Sequence, residues 1–337
     1  MLRNGNRRCD LLKSFEKFKT VRLKNISMYS IKRKSLSFLI SLFRFVLLTS
    51  MAYVVIYPLL YMIVTSFRTA DSFSDPDIVW ILKETTFDNF KDSFESINFL
   101  GSFKNTLLIQ IVSAFIEIAS CSVVAYGLSR FDFKLKKIEM VLLILTIVIP
   151  AQMIIIPTMM NYSQLDLFGI IGAINKVTDA NIKISILDTP FAFYFPSIFG
   201  VGLRSGIMIF IYIQFFKGLP KELEEAASID GAGPIKTFTA IAIPSSGVVY
   251  LTVTIFSIVW HWNDYYLSVM YLNQNKPLAV AIANFPDMFN TLGIPSTGRG
   301  NAILMAASLM FVLPVLILYL VLQRKFVKSI DRVGITG

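Results

Sequence analysis

The sequence predicts an all-α, polytopic membrane protein with six transmembrane helices, and three observations predict it. Hydrophobic residues make up 55% of the 337-residue chain and charged residues only 16%, where a soluble domain carries about 25% charged residues. The apolar residues gather in six blocks, at about 38–66, 104–126, 139–160, 196–216, 247–269 and 303–323, and crossing a bilayer takes roughly 20 residues. The connecting segments alternate between strongly and weakly basic. A spanning segment has no water to satisfy its backbone N–H and C=O groups, so each block is expected as a helix.

Charge sets the direction. The net charge is +10, and the first 35 residues hold eleven Lys or Arg against two acids. The segments 127–138, 217–246 and 324–337 hold four, three and four basic residues, whereas 67–103, 162–190 and 271–301 hold three, two and two. That places 22 basic residues on one side and 7 on the other. The positive-inside rule then puts both termini in the cytoplasm, and an even number of spans agrees. The positive charge is a topology signal, and no nucleic acid is expected as a partner.

The elements follow in order. Residues 1–35 form a basic cytoplasmic tail without the apolar core and small-residue cleavage site of a signal peptide. Leu11, Leu12, Phe15, Phe18 and Val21 fall near one helical face, which leaves two readings: an interfacial helix on anionic lipid, or a disordered basic tail. A transmembrane domain is expected over 36–330, and a short cytoplasmic tail over 331–337. The outer segment 67–103, with seven acids, Trp80 and the Pro76-Asp77 break, is long enough for a small cap. The second span ends in a basic inner loop. The third carries Pro150, Gln152 and Pro157, which kink or break it unless neighbours satisfy the freed carbonyls. Such irregularity lines water-filled pathways in transporters, or it is a structural kink alone. The fourth span contains Gly200, Gly202, Arg204 and Gly206, and the fifth contains Trp260-His261-Trp262-Asn263-Asp264-Tyr265-Tyr266. The sixth ends in Gln323-Arg324-Lys325-Phe326, an inner-surface anchor.

One inner loop, about 217–246, is too ordered for a simple turn. Pro220 suits the first turn of a helix, and Glu222, Glu224 and Glu225 follow where the helix dipole favours negative charge. Ala226 and Ala227 keep one surface slim enough to enter a pocket on another protein. Asp230 precedes Gly231 and Gly233, which terminate helices. Pro234 starts a second short helix with Ile235, Phe238 and Ile241 at helical spacing, and Pro244 is expected to end it. The product is helix, glycine break, helix at the membrane surface.

The spacing Glu225-Ala226-Ala227, three residues, Gly231, nine residues, Ile241-Ala-Ile243-Pro244 resembles the "EAA loop" of ATP-binding-cassette (ABC) import permeases. Asn105 to Phe133, Ile149 to Leu165, Trp262-Asn263-Asp264, Leu313-Pro314 and Leu322 to Val327 resemble carbohydrate-importer permeases of the maltose-transporter type. The resemblance covers about 40–330. The first 35 residues extend beyond the usual start, and 174–189 is longer than usual. It implies a type I importer permease fold of six helices in the bacterial cytoplasmic membrane, passing an oligosaccharide inward by alternating access. Implied partners are a second, different permease chain, two cassette ATPases and an extracytoplasmic solute-binding protein. No cofactor is implied on this chain; ATP and Mg sit on the ATPases. Glu222, Glu225, Ala226, Ala227, Asp230, Gly231, Ile241 and Pro244 would grip the ATPase.

Several functions are opposed by what the chain lacks. Gly231-Ala-Gly-Pro-Ile-Lys236-Thr237 lacks the Gly-Lys pair of a phosphate-binding loop. There is no Gly-x-Ser-x-Gly and no His-Glu-x-x-His. His261 is the single histidine, Cys9 and Cys121 are not expected to pair, and no metal site is expected. The chain is therefore expected not to be an enzyme. The rival readings are a permease for another solute such as amino acids or peptides, an ion-coupled secondary transporter, which leaves 222–244 unexplained, and an intramembrane enzyme.

Glu117, Arg204 and Asp264 are charges inside spans. Each costs about 2.5–3.5 kcal/mol at a lipid-facing centre, so they are expected to face the bundle or a cavity. Glu117 and Arg204 lie nine and twelve residues from the inner ends of their spans, depths differing by roughly 5 Å. An ion pair between them, contact with solute and snorkelling all stand. The aromatic and amide cluster at 262–265 reads either as an interface belt or as part of a sugar path. Asp264 is expected inward, with Trp262 and Tyr266 toward packing or lipid. The candidate path residues are Glu117, Gln152, Arg204, Asn263 and Asp264.

Overall fold

A computed structural model of the chain describes residues 5–74, 80, 82, 84–166, 169–178, 182–287 and 298–334, with the backbone course alone for 5–35 and 324–334. The Pro76-Asp77 break, the side chains expected to form an apolar face on the N-terminal tail, Cys9 and the Arg324-Lys325-Phe326 anchor lie outside the described residues. The chain divides into two units, Met1–Tyr61 and Met62–Gly337.

The first unit is a single helix. α1 spans Gly5–Ser66, so the backbone of the tail is helical from Gly5 and runs on into the apolar stretch. Its stretch Leu36–Ser66 is long and apolar enough to cross a membrane. The last turn belongs to the second unit, where Met62, Thr65 and Ser66 are buried.

The second unit is helical throughout its described elements. α2 is Asp88–Ser96, and α3 is the long apolar helix Phe99–Arg130. α4 (Lys136–Val148) and α5 (Ala151–Ser163) together form the third expected span, bent by 103°. The sequence accounts for the break: a residue before proline is pushed out of the helical region, and Ile149 and Pro150 take ψ of 121° and 130°. α6 is Ile170–Thr178 and α7 is Phe191–Ile198. α8 (Ser205–Gly218) has 14 residues, about 21 Å of helix. The fourth expected span, 196–216, therefore starts too early: Gly200 and Arg204 take φ of +67° and +59° and break the helix.

α9 (Lys221–Ile229) and α10 (Pro234–Ser245) come next. α11 (Gly247–Trp262) and α12 (Tyr266–Tyr271) share the fifth block, with a break at 263–265. α13 is Leu278–Ala283. α14 (Arg299–Gly334) carries the apolar stretch Arg299–Gln323.

α3 is the central helix of this unit, packed against α7, α8 and α11. Its buried face reads Gln110, Ala114, Glu117, Cys121, Ala125 and Leu128, at helical spacing. Lipid tails are as apolar as leucine, so close packing rather than water exclusion joins helices in a membrane. Small Ala114, Cys121 and Ala125, each fully buried, let the neighbours approach. One core cluster sets Cys121, Ala125 and Tyr126 with Met208, Tyr212, Phe216 and Val253. Another joins Ile109, Ile155, Phe193, Tyr271 and Leu272.

Candidate functional site

The loop candidates fall on α9, a turn and α10. Pro220 has ψ 128°, which makes it the N-cap of α9 rather than its first residue. Glu222 and Glu224 lie in the first turn. At the other end the Gly231 N–H donates to the Ser228 carbonyl at 3.1 Å and the Ala232 N–H to the Ala227 carbonyl at 2.9 Å. These are the two bonds of a Schellman ending, whose turn residue is left-handed. Gly231 takes φ +79° there, with open space where a Cβ would sit.

Gly233 caps α10 and Pro234 opens it. The helix ends at Ser245, one residue beyond Pro244 and in agreement with the expectation that this proline ends it. Pro244 offers no N–H to the Ala240 carbonyl and its ring crowds that group. A π-helical turn over Phe238–Ala242 precedes it, a wide turn that takes up such a misfit. The chain then bends by 81° into α11.

One side of the loop is fastened and the other is open. Arg130 Nε, at the end of α3, lies 2.9 Å from Glu224 Oε1, an ion pair in which the Nε–H is not aimed at that oxygen. Arg130 Nη2 donates to the Leu219 carbonyl at 3.0 Å. The Tyr126 ring lies 4.8 Å from that of Phe238 and 5.6 Å from that of Phe216. Ala227 is buried and Ile241 half-buried, while Glu222, Glu225, Ala226, Asp230, Gly231 and Pro244 are exposed. Ile229 and Ile235 flank this face with 87% and 81% of their surface exposed.

A second site lies among the helix breaks. A cavity of about 210 Å³ is lined by Gln152, Arg204, Trp260, Asn263, Asp264 and Tyr265, among others. Four of the five path candidates thus meet. Each comes from an interruption: Gln152 follows the Pro150 bend, Arg204 precedes α8, and Asn263 and Asp264 occupy the break after α11. Broken helices near a cavity are a transporter feature, because backbone freed there needs polar surroundings. A hollow of about 280 Å³ between α11 and α14, lined by Val259, Trp262, Phe311 and Tyr319, offers almost no polar group.

Asp264 is buried and its carboxylate is used locally. It accepts from the backbone N–H of Leu267 at 3.3 Å and of Ser268 at 3.1 Å, capping α12, and from Ser268 Oγ at 2.9 Å. Gln110 Nε2 donates to Ser268 Oγ at 2.7 Å. Gln110 sits in a π-helical stretch of α3, Thr106–Ile111, so two irregular segments are joined by one buried polar chain. Trp262 is buried and donates through Nε1 to the Phe311 carbonyl at 3.1 Å, whereas Tyr266 is 59% exposed. The break at 263–265 removes the helical spacing that would put these two rings on one face.

Glu117 and Arg204 are not paired. Glu117 Oε2 lies 3.2 Å from His261 Nε2, with both side chains fully buried, and His261 Nδ1 lies 3.0 Å from the Ser257 carbonyl. A carbonyl only accepts, so Nδ1 carries a hydrogen. The other ring nitrogen, Nε2, is left facing the Glu117 carboxylate. The arginine guanidinium instead lies over the Trp260 ring, 5.0 Å from its centroid. Sequence reasoning missed the Arg130–Glu224, Glu117–His261 and Gln110–Ser268 partnerships. Only buried charge at helical spacing hinted at them; partners more than 90 residues apart leave no pattern in one sequence.

Comparison with known proteins bears on the chain as a whole. Residues 118–332 match the family model "Binding-protein-dependent transport system inner membrane component". The melibiose/raffinose/stachyose import permease protein MelC of Bacillus subtilis is 30% identical, covering 83% of this chain and 91% of that protein. The arabinooligosaccharides transport system permease protein AraQ of Halalkalibacterium halodurans is 28% identical, covering 85% and 93%. Among solved structures, a chain of a bacterial ABC transporter involved in import of the acidic polysaccharide alginate superposes with a TM-score of 0.65 at 18% identity. That match covers 86% of this chain and 96% of the other, a likeness of fold.

Proposed function

The chain belongs to the binding-protein-dependent transport system inner membrane components, and from that premise we propose that it is one permease subunit of an ATP-driven importer of oligosaccharides. The observation that carries the reading is the loop: α9 leaves Glu222, Glu225 and Ala226 exposed, with the exposed isoleucines Ile229 and Ile235 following them, while Glu224 ties α9 to Arg130 of α3. A helix held at one face and bare at the other transmits force from a partner. Exposed apolar surface on such a helix favours a protein contact. The partner is a cassette ATPase, which binds the ATP and Mg; two of them act on this chain and a second, different permease chain. An extracytoplasmic solute-binding protein delivers the solute. Both termini face the cytoplasm, as the basic segments suggest.

In this mechanism, ATP-driven closure of the ATPases moves α9 and α10 together. Arg130 carries the motion into α3, and α3 reaches the cavity at Gln152, Arg204 and Asn263 through the Gln110–Ser268–Asp264 chain. The two permease chains rock, opening the path outward and then inward. At about 210 Å³ the cavity is smaller than the roughly 300–1,000 Å³ of a whole ligand site, which suits a subunit forming part of a path. The names of MelC and AraQ support an oligosaccharide as the cargo. The test is reconstitution with the ATPase, the second permease and the binding protein. Oligosaccharide uptake that requires ATP and the binding protein supports the reading; uptake driven by an ion gradient without ATP contradicts it.

A further inference from the structure

The cavity holds a guanidinium that is not engaged in an ion pair. Arg204 contributes its guanidinium to the wall, and among the described residues no carboxylate forms an ion pair with it. Glu117, the acid nearest in expected depth, is engaged by His261. Asp264 lines the same cavity, but backbone N–H groups and the Ser268 hydroxyl occupy its oxygens. Trp260, itself stacked on Phe256 at 5.4 Å, holds the guanidinium by its ring. A cation–π contact orients a cation without cancelling its charge. The backbone is committed as well: Arg204 takes φ +59° immediately before α8, a conformation that a side-chain-bearing residue rarely adopts.

Arg204 is exposed at this cavity, and its guanidinium is open to an anionic group of a ligand. Its planar fork fits a carboxylate through two parallel hydrogen bonds. The neighbouring groups, the amides of Gln152 and Asn263 and the Tyr265 hydroxyl, suit the hydroxyls of a sugar. We propose that Arg204 selects saccharides bearing a carboxylate, receiving a uronic acid unit in this cavity. This rests on the reading of the chain as a saccharide permease.

The test uses the full complex in proteoliposomes with its binding protein. Two probes are compared: a galacturonate trisaccharide and its carboxyl-reduced, neutral counterpart. The wild type carries the galacturonate trisaccharide in preference. Arg204→Gln lowers the ratio of galacturonate to neutral-probe uptake ~10–100-fold, the worth of a charge-assisted hydrogen bond. Arg204→Lys restores part of it. Preference of the wild type for the neutral probe overturns the proposal and leaves the saccharide reading standing, as does uptake of neither probe while other neutral oligosaccharides are carried; uptake of no oligosaccharide at all overturns both. Equal loss of both probes in Arg204→Gln also overturns it, pointing to a lipid headgroup instead. Loss of assembly that is reversed by neutralising an acid in the second permease identifies that acid as the partner and overturns it too.

Discussion

Arg130 and Glu224 form an ion pair at 2.9 Å between the last residue of α3 and the first turn of α9. It is a direct charged link between the long central helix and the inner loop. Its side chains are 7% and 19% exposed. Removing one partner should therefore cost between the value of a surface pair and that of a buried one, about 1–3 kcal/mol. Arg130→Ala and Glu224→Gln are each expected to lower sugar uptake per ATP hydrolysed while the ATPase stays bound. The exchanged pair Arg130→Glu with Glu224→Arg should recover part of the loss. Strictly additive effects in a double-mutant cycle would contradict the link.

Gly231 is required by backbone shape alone. The space beside it is open, so a side chain meets no clash, yet φ is +79°. The left-handed conformation costs roughly 1–2 kcal/mol for a side-chain-bearing residue, and more for a β-branched one. Gly231→Val should reduce ATPase co-purification and uptake, whereas Gly231→Asn should stay near the wild type. Equal behaviour of the two variants would remove the Schellman ending from the account.

Glu117 and His261 should act as a unit. His261→Leu leaves a carboxylate buried without its partner, a loss of about 3–5 kcal/mol. Glu117→Gln keeps a donor for Nε2 and should be milder. Adding Glu117→Gln to His261→Leu should recover stability, read as thermal unfolding of the detergent-solubilised chain. Arg204→Gln should not interact with either change, because Arg204 lies over Trp260. Coupling of Arg204 with Glu117 would restore the ion pair expected from the sequence.

Asn263 and Asp264 should differ in access. Asn263 is exposed and Asp264 is 7% exposed, with its carboxylate spent on the start of α12. A cysteine at 263 should react with a small polar thiol reagent well ahead of one at 264. Asp264→Ala removes a helix cap, worth ~1 kcal/mol, and should lower membrane abundance as well as uptake. Faster labelling at 264 would place that side chain in the path.

Composition and local pattern made much of this legible. Long apolar blocks reported α1, α3 and α14 because hydrocarbon demands a continuous helix. Pro150 announced the 103° bend, and the glycine at 231 announced the end of α9. The fourth span was misplaced because apolar Phe191–Phe199 runs into the Gly200–Arg204 turn, and hydropathy does not register a left-handed residue. Polar partners such as Glu117 and His261, 144 residues apart, depend on how helices pack, which no local rule reports. Gln152, Arg204, Asn263 and Asp264 were each visible as polar residues in apolar blocks; that they share a cavity followed only from the fold.

The central claim is that the exposed face of α9 docks a cassette ATPase, and the most direct measurement is co-purification of that ATPase with the Glu225→Lys variant. Glu225 is exposed within the Glu-Ala-Ala stretch, and a positive charge near a helix N-terminus opposes the dipole. The variant should insert in the membrane at normal abundance, lose most of the bound ATPase and lose uptake. Normal ATPase recovery together with full uptake would contradict the account.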